Sequence, residues 1–306
     1  MAEKYPQIIL NRNDYDADEL KQHGADRVVE DLSFVKVVDD SDVSLPWALE
    51  NFDIIEKNTD KKKTALFLDY DGTLTPIVDS PEKAILSESM REAVTAVSNL
   101  CPVAVISGRD LKDVRGMVGI EGIYYAGSHG FDITGPEIDK IRYQEGIRYL
   151  PALDEAEEKL KKKLTGIDGA VVERKKFSVA VHYRNAREED KDTVKEAVDA
   201  VLSKKHGLKK TSGKKIYEIQ PDIDWNKGKA LFWLLDALDM KISQTFPVYI
   251  GDDTTDEDAF RAIKGKGLGI IVTEKKRESG ADEVLRNPEE VEIWLRRLAL
   301  LLKGDK

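Results

Sequence analysis

An α/β fold, a parallel sheet covered by helices with a smaller α+β cap inserted into it, is what this sequence predicts. Three observations carry that prediction. Apolar runs of strand length recur at 64–69, 103–106, 123–126, 247–250 and 268–272. Helical patterns lie between or after them, at 87–100, 110–117, 226–239, 256–263 and 289–302, and strands alternating with helices imply parallel pairing. Between residues 141 and 214 the alternation gives way to two amphipathic helices and two hairpins, the pattern of a separate small domain.

Taken in order, residues 1–44 hold a short strand in QIILN, a helix-like DADELKQHG and a second strand in DRVVE. A charge-rich linker around Pro46 follows and ends in a short amphipathic segment. The first part of the core spans 45–140 and the second 215–306, where Val291, Trp294, Leu295, Leu298 and Leu302 fall on one helical face. Within 141–214, Leu153, Ala156, Leu160 and Leu164 mark one helix, and Val194, Ala197, Val198, Val201 and Leu202 mark another. GAVVERKKFSVAVHY reads as two strands at a turn, and LKKTSGKKIYEIQ as a hairpin across Ser212 and Gly213.

The chain has 306 residues, 48 basic and 58 acidic, for a net charge of −10, which disfavours a general nucleic-acid binder. Cys101 is the single cysteine, so an internal disulfide framework is excluded and a reducing compartment fits. No apolar run reaches the ~18 residues of a membrane span, and the N-terminus lacks the apolar stretch of a signal peptide. A soluble, cytoplasmic protein is expected.

The chemistry is written at strand ends, where open parallel sheets collect their ligands. The strand at 64–69 runs into Asp69 and Asp71, and the strand PVYI runs into Asp252, Asp253 and Asp256. Either cluster alone could be a solvated acidic loop. Together, at neighbouring strand ends, they would repel unless a cation lay between them, and Mg²⁺ suits such hard oxygen donors. VAVISGRD closes a strand on Ser107 and Gly108, whose hydroxyl and backbone N–H groups suit phosphate oxygens. Lys227 opens a helix, a position the helix dipole disfavours for a cation and an anionic partner would explain. Phosphoryl transfer fits this set: Asp69 as nucleophile, Asp71 as acid and then base, with Mg²⁺ and Lys227 neutralising charge.

The stretches DYDGTLTP, ISGR, DWNKG and GDDTTDEDAF together resemble the haloacid dehalogenase (HAD) superfamily, and in detail its trehalose-6-phosphate phosphatases, from about Leu45 onward. The resemblance implies a HAD-like Rossmannoid core with a mobile cap. It also implies Mg²⁺-dependent hydrolysis of trehalose 6-phosphate to trehalose and phosphate through an aspartyl-phosphate, the final step of trehalose synthesis. It places the metal on the Asp69 side chain, the Asp71 carbonyl and Asp252, with Asp253 and Asp256 in support. Thr73, Ser107, Gly108 and Lys227 would bind phosphate. GSHGFD, ERKKFSVAVHYR and YEIQPDIDWNKG resemble that family's own stretches and imply sugar contacts from Arg109, His129, Gly130, Lys176, Ser178, His182, Arg184 and Glu218. Residues 11–35 resemble the closing strand–helix–strand of a β-phosphoglucomutase-like HAD domain. Residues 1–44 are then either a remnant of a larger fused protein or a chain whose recorded start lies downstream of the true one. The alternative is an ordinary N-terminal extension packed on the core, and no catalysis is expected from them.

Three other readings share these residues. A phosphatase for sucrose 6-phosphate or a mannosyl phosphate would use the same core, since substrate choice lies in the site and not the fold. A phosphomutase would return the phosphate to a sugar. A non-catalytic sugar-phosphate sensor would be expected to have lost Asp69, Asp71 or Lys227, and all three are present.

Overall fold

The computed structural model describes residues 45–78, 80–136, 141–203, 207–213 and 215–304, and before them the backbone of two short strands. In chain order the elements are β1 (Ile8–Leu10), β2 (Arg27–Val29), α1 (Asp53–Thr59), β3 (Lys63–Leu68), α2 (Glu88–Ser98), β4 (Val103–Ile106) and α3 (Leu111–Val118). Then come β5 (Tyr124–Gly127), β6 (Asp132–Thr134), β7 (Arg142–Gln144), α4 (Leu150–Lys163), β8 (Val171–Lys175), β9 (Ser178–His182) and α5 (Lys191–Leu202). The chain closes with β10 (Leu208–Gly213), β11 (Ile216–Pro221), α6 (Lys227–Ala237), β12 (Thr245–Gly251), α7 (Glu257–Ile263), β13 (Leu268–Val272), β14 (Glu283–Leu285) and α8 (Pro288–Lys303). Among the described residues, no helix is long and apolar enough to cross a membrane.

Two compact units divide the chain, one reaching to Ala104 and resuming at Leu234, the other Val105–Trp233. In the first, β14, β13, β12 and β3 lie side by side and pair in parallel, with Val248 opposite both Leu268 and Leu66. These strands are almost wholly apolar because helices leave neither face to water. Ser87 caps α2 by accepting the Met90 N–H at 3.2 Å, and Met90, Ala93, Val94 and Val97 form its buried stripe. Asn287 caps α8 in the same way, with Pro288 in the first turn and Gly304 at φ +78° ending it. α2 and α8 pack together, α8 contributing Val291, Trp294, Leu295 and Leu298. β1 and β2 pair in parallel, Ile8 opposite Arg27, while the helix expected between them lies outside the described residues.

The second unit carries β5, β6 and β7 in antiparallel pairing and a separate antiparallel sheet of order β10-β11-β9-β8. One face of that sheet, with Val179, Val181 and Ile219, packs on Leu153 and Leu160 of α4 and on Val194 and Val198 of α5. Two expectations are corrected. The second hairpin does not turn at Ser212 and Gly213, which pair with Tyr217 and Ile216; the turn follows them, with Lys215 at φ +68°. The small sheet therefore runs on through Pro221, beyond the boundary expected at 214, and takes Glu218 with it. β6 and β7 were not legible as strands, being three residues each with no run of alternating polarity.

Candidate active site

β3 delivers Asp69, whose N–H donates to the Ile250 carbonyl at 2.9 Å and so ties the end of β3 to the end of β12. The next residues form a tight turn: Asp71 bridges Thr75, and the Gly72 N–H donates to the Thr75 carbonyl at 2.8 Å. Gly72 has φ +82°, and a Cβ there would stand 2.2 Å from Asp252 Oδ2, so both the backbone and the space require glycine. Thr73 is fully buried, and its hydroxyl has no hydrogen-bond partner among the described residues. Such a group is free to accept a water or a ligand as partner.

From β12 the chain turns through Asp252 and Asp253 to Asp256 at the start of α7. Asp69, Asp252 and Asp256 each bring one carboxylate oxygen to within 4.8 Å of the others. Asp256 is held on both sides, by the Tyr249 hydroxyl at 2.6 Å and the Asp253 N–H at 2.9 Å. Asp253 Oδ1 accepts the Thr254 N–H at 2.6 Å. Of the two aspartates expected in support, Asp256 brings an oxygen into the cluster and Asp253 holds Asp256 through its N–H. Three hard oxygen donors approached closely by a glycine backbone fit a small divalent cation. Sequence reasoning missed Tyr249, which lies inside an apolar strand and looks like core.

The second unit holds the remaining expected residues. Ser107 is buried, accepts the Arg109 N–H at 3.1 Å and, through its carbonyl, the His129 N–H at 2.8 Å. His129 and Ser128 both adopt positive φ, and the His129 ring lies over Gly108, where a Cβ would stand 2.7 Å from Cε1. Two non-glycine residues in that region mark a place where the surroundings fix the backbone. Gly130 is equally constrained, since a Cβ would meet Ala230 of α6 at 2.4 Å, and its carbonyl accepts the Trp225 indole N–H at 2.8 Å. Asn226 caps α6 by accepting the Lys229 N–H at 2.9 Å, and Lys227 at the helix start is only 2% exposed.

The face of the β10-β11-β9-β8 sheet opposite its helices gathers the polar residues. Lys175 is paired with Ser178, and Ala180 with both Glu173 and Glu218, which places Glu173, Lys175, Ser178, His182 and Glu218 on one face. Glu218 is the centre: Oε1 accepts from the Ser178 hydroxyl at 2.6 Å and from Lys175 Nζ at 3.2 Å, and Oε2 lies 3.6 Å from His129 Nε2. Burial pushes the Glu218 carboxyl up, but His129, Lys175 and Ser178 outweigh it and hold the group well below the usual carboxylate range. Lys175 also donates to the Gly108 carbonyl, at 3.5 Å.

Not every expected sugar contact joins this group. Lys176 turns instead to Asp132, at 2.5 Å, and its N–H donates to the Asp110 carboxylate. His182 pairs with Glu173 at 2.6 Å, which keeps the Glu173 carboxyl low. The Arg109 side chain reaches Met117 Sδ at 3.3 Å, and Arg184 is exposed beyond the end of β9. Lys175 was missed, although a two-residue loop at Lys176 and Phe177 is the signal that puts it, and not its neighbour, on the Glu218 face.

Comparison with known proteins identifies the family. Residues 67–288 match the trehalose-phosphatase family model. A trehalose 6-phosphate phosphatase of Zea mays is 43% identical over 269 residues, 83% of this chain and 74% of that protein. An uncharacterized glycosyl hydrolase of Mycobacterium tuberculosis is 42% identical over 292 residues, 93% of this chain but 22% of that protein, a span that takes in part of residues 1–44. Among solved structures, the C-terminal domain of the Candida albicans trehalose-6-phosphate phosphatase superposes with a TM-score of 0.70 at 22% identity, covering 84% of this chain and 98% of that one, a likeness of fold.

Proposed function

This chain belongs to the trehalose-phosphatase family, and from that premise we propose that it hydrolyses trehalose 6-phosphate to trehalose and inorganic phosphate by way of an aspartyl-phosphate on Asp69. The enzyme is a phosphoric monoester hydrolase with a small sugar phosphate as substrate. The observation that carries the mechanism is the convergence of Asp69 with Asp252 and Asp256 beside the turn that bears Asp71.

Asp69 attacks phosphorus as the P–O bond to the sugar breaks, and Asp71 gives its proton to the departing sugar oxygen. Asp71 then takes a proton from water, whose oxygen attacks the phosphoryl group and restores the Asp69 carboxylate. Ser107, Lys227 and Thr73 hold the phosphate oxygens, Lys227 offsetting the repulsion between carboxylate and phosphate. Asp69 and Asp252, with the Asp71 carbonyl, would hold a divalent cation, Mg²⁺ in this reading, and Asp256 stands ready beside them. When bound, that cation supplies further neutralisation of the developing charge. Glu218, His129, Ser178 and Lys175 offer donors and acceptors to the sugar hydroxyls. The single cysteine supports placing the enzyme in the cytoplasm. Residues 1–44 are read as related to the strand–helix–strand of a β-phosphoglucomutase-like domain, a reading supported by the parallel pairing of β1 and β2.

The test is phosphate release from trehalose 6-phosphate, sucrose 6-phosphate, a mannosyl phosphate and glucose 6-phosphate, with Mg²⁺ and with EDTA, using Asp69→Asn beside the wild type. Preference for trehalose 6-phosphate, lost with EDTA and absent from the variant, is expected. A different preferred sugar would discard the substrate, and turnover by Asp69→Asn would discard the nucleophile.

A further inference from the structure

The acidic turn is braced by two residues that the proposed reaction does not use. Glu257, the first residue of α7, is 9% exposed, and both of its carboxylate oxygens are engaged by the loop that follows β13. Oε2 accepts the Gly280 N–H at 2.7 Å, and Oε1 accepts from Arg277 Nη2 at 3.0 Å. The other arm of the same guanidinium, Nη1, donates to the Asp252 main-chain carbonyl at 2.9 Å. One planar cation therefore spans residues 252 and 257, the two ends of the turn that presents Asp252 and Asp256. A rigid fork of donors fixes such a separation in a way that a single-point ammonium does not.

We propose that Arg277 and Glu257 are positioning residues for the cation site, holding the turn so that Asp252 and Asp256 keep their oxygens within reach of Asp69. The inference rests on the metal-dependent reading of that carboxylate cluster. Without a cation the three carboxylates repel one another, and the simplest relief is for the turn to swing Asp252 outward. The Arg277 contact to the Asp252 carbonyl opposes that swing through the backbone, and its positive charge lessens the repulsion itself. A site held in its binding geometry loses less freedom when the ion arrives, and outer partners of metal ligands act in this way.

The test uses Mn²⁺ as a paramagnetic probe, titrated into the full chain and followed by the EPR signal of the free ion. Arg277→Met and Glu257→Gln should each weaken Mn²⁺ binding by about 10–100-fold, the range found for such outer partners. The double variant should be no weaker than the product of the two, because both act on one turn. Arg277→Lys should fall between wild type and Arg277→Met. Melting temperatures in EDTA, measured in parallel, confirm that each variant is folded at the titration temperature, and Glu257→Gln keeps the test open should Arg277→Met fail to fold. Variants that are folded and bind Mn²⁺ as tightly as wild type overturn the inference. A wild type that binds no Mn²⁺ overturns the metal reading itself, and the two failures are told apart by the wild-type isotherm.

Discussion

Glu218→Gln keeps the shape of the side chain at the centre of the polar sheet face and removes its charge. In the wild type the Ser178 hydroxyl and Lys175 Nζ share one oxygen, at 2.6 and 3.2 Å, and the other lies 3.6 Å from His129. Those neighbours overcome the effect of burial and keep the carboxylate ionised across the neutral range. An ionised acceptor held by three neighbours is suited to a sugar hydroxyl, and a hydrogen bond to a charged group contributes about 1.5–3 kcal/mol. At ~1.4 kcal/mol per tenfold, kcat/KM for trehalose 6-phosphate should fall by about 10–150-fold. The amide also has to turn its NH₂ toward one of the donors that the carboxylate satisfied, which favours the upper part of that range. p-Nitrophenyl phosphate carries no sugar hydroxyls and should be turned over almost as before. The assay is steady-state phosphate release from both substrates, with urea unfolding to show that the variant is folded. Equal losses on the two substrates would refute the reasoning and move Glu218 out of sugar recognition.

Two further outcomes follow from contacts already described. Gly72→Ala places a methyl group 2.2 Å from Asp252 Oδ2 at a backbone φ of +82°, and the displaced carboxylate should cost on the order of 100-fold in kcat, read by phosphate release at saturating Mg²⁺; unchanged turnover would show that the turn yields without moving Asp252. Burial pushes the Glu283 carboxyl from 4.5 up to about 7, with Asp282 adding to the rise and the Asn51 amide, at 2.6 Å, working against it. A raised carboxyl pKa means stability that is fully present below about pH 4.5 and lost as pH rises through about 7, so Glu283→Gln should gain up to about 3 kcal/mol over wild type at pH 8 and almost nothing at pH 4.5. Urea unfolding at both pH values checks this, and a gain that does not change with pH would sink it.

What could be read in the sequence was what local pattern controls. β3, β4, β12 and β13 sit within a residue or two of their apolar runs because a strand covered on both faces needs such a run. Asp69 and Asp252 follow directly from where two of those runs end. The sequence was silent where the outcome depends on register or on distant chain. Lys175 and Lys176 are neighbours in a basic run, yet only the pairing of Lys175 with Ser178, which leaves Lys176 in the turn, decides which reaches Glu218. Arg277 lies 25 residues from the carbonyl it holds, in a loop where one more basic residue beside Lys275 and Lys276 has no periodicity to set it apart. The division is a physical one. Residues that react are identified by their chemistry and by the strand end that presents them, whereas residues that position them work across the fold and become visible only when it is formed. The outer partners of this site are therefore where substitutions chosen from sequence alone would most often be misjudged, and Arg277 and Glu257 are the pair on which that expectation is tested most directly.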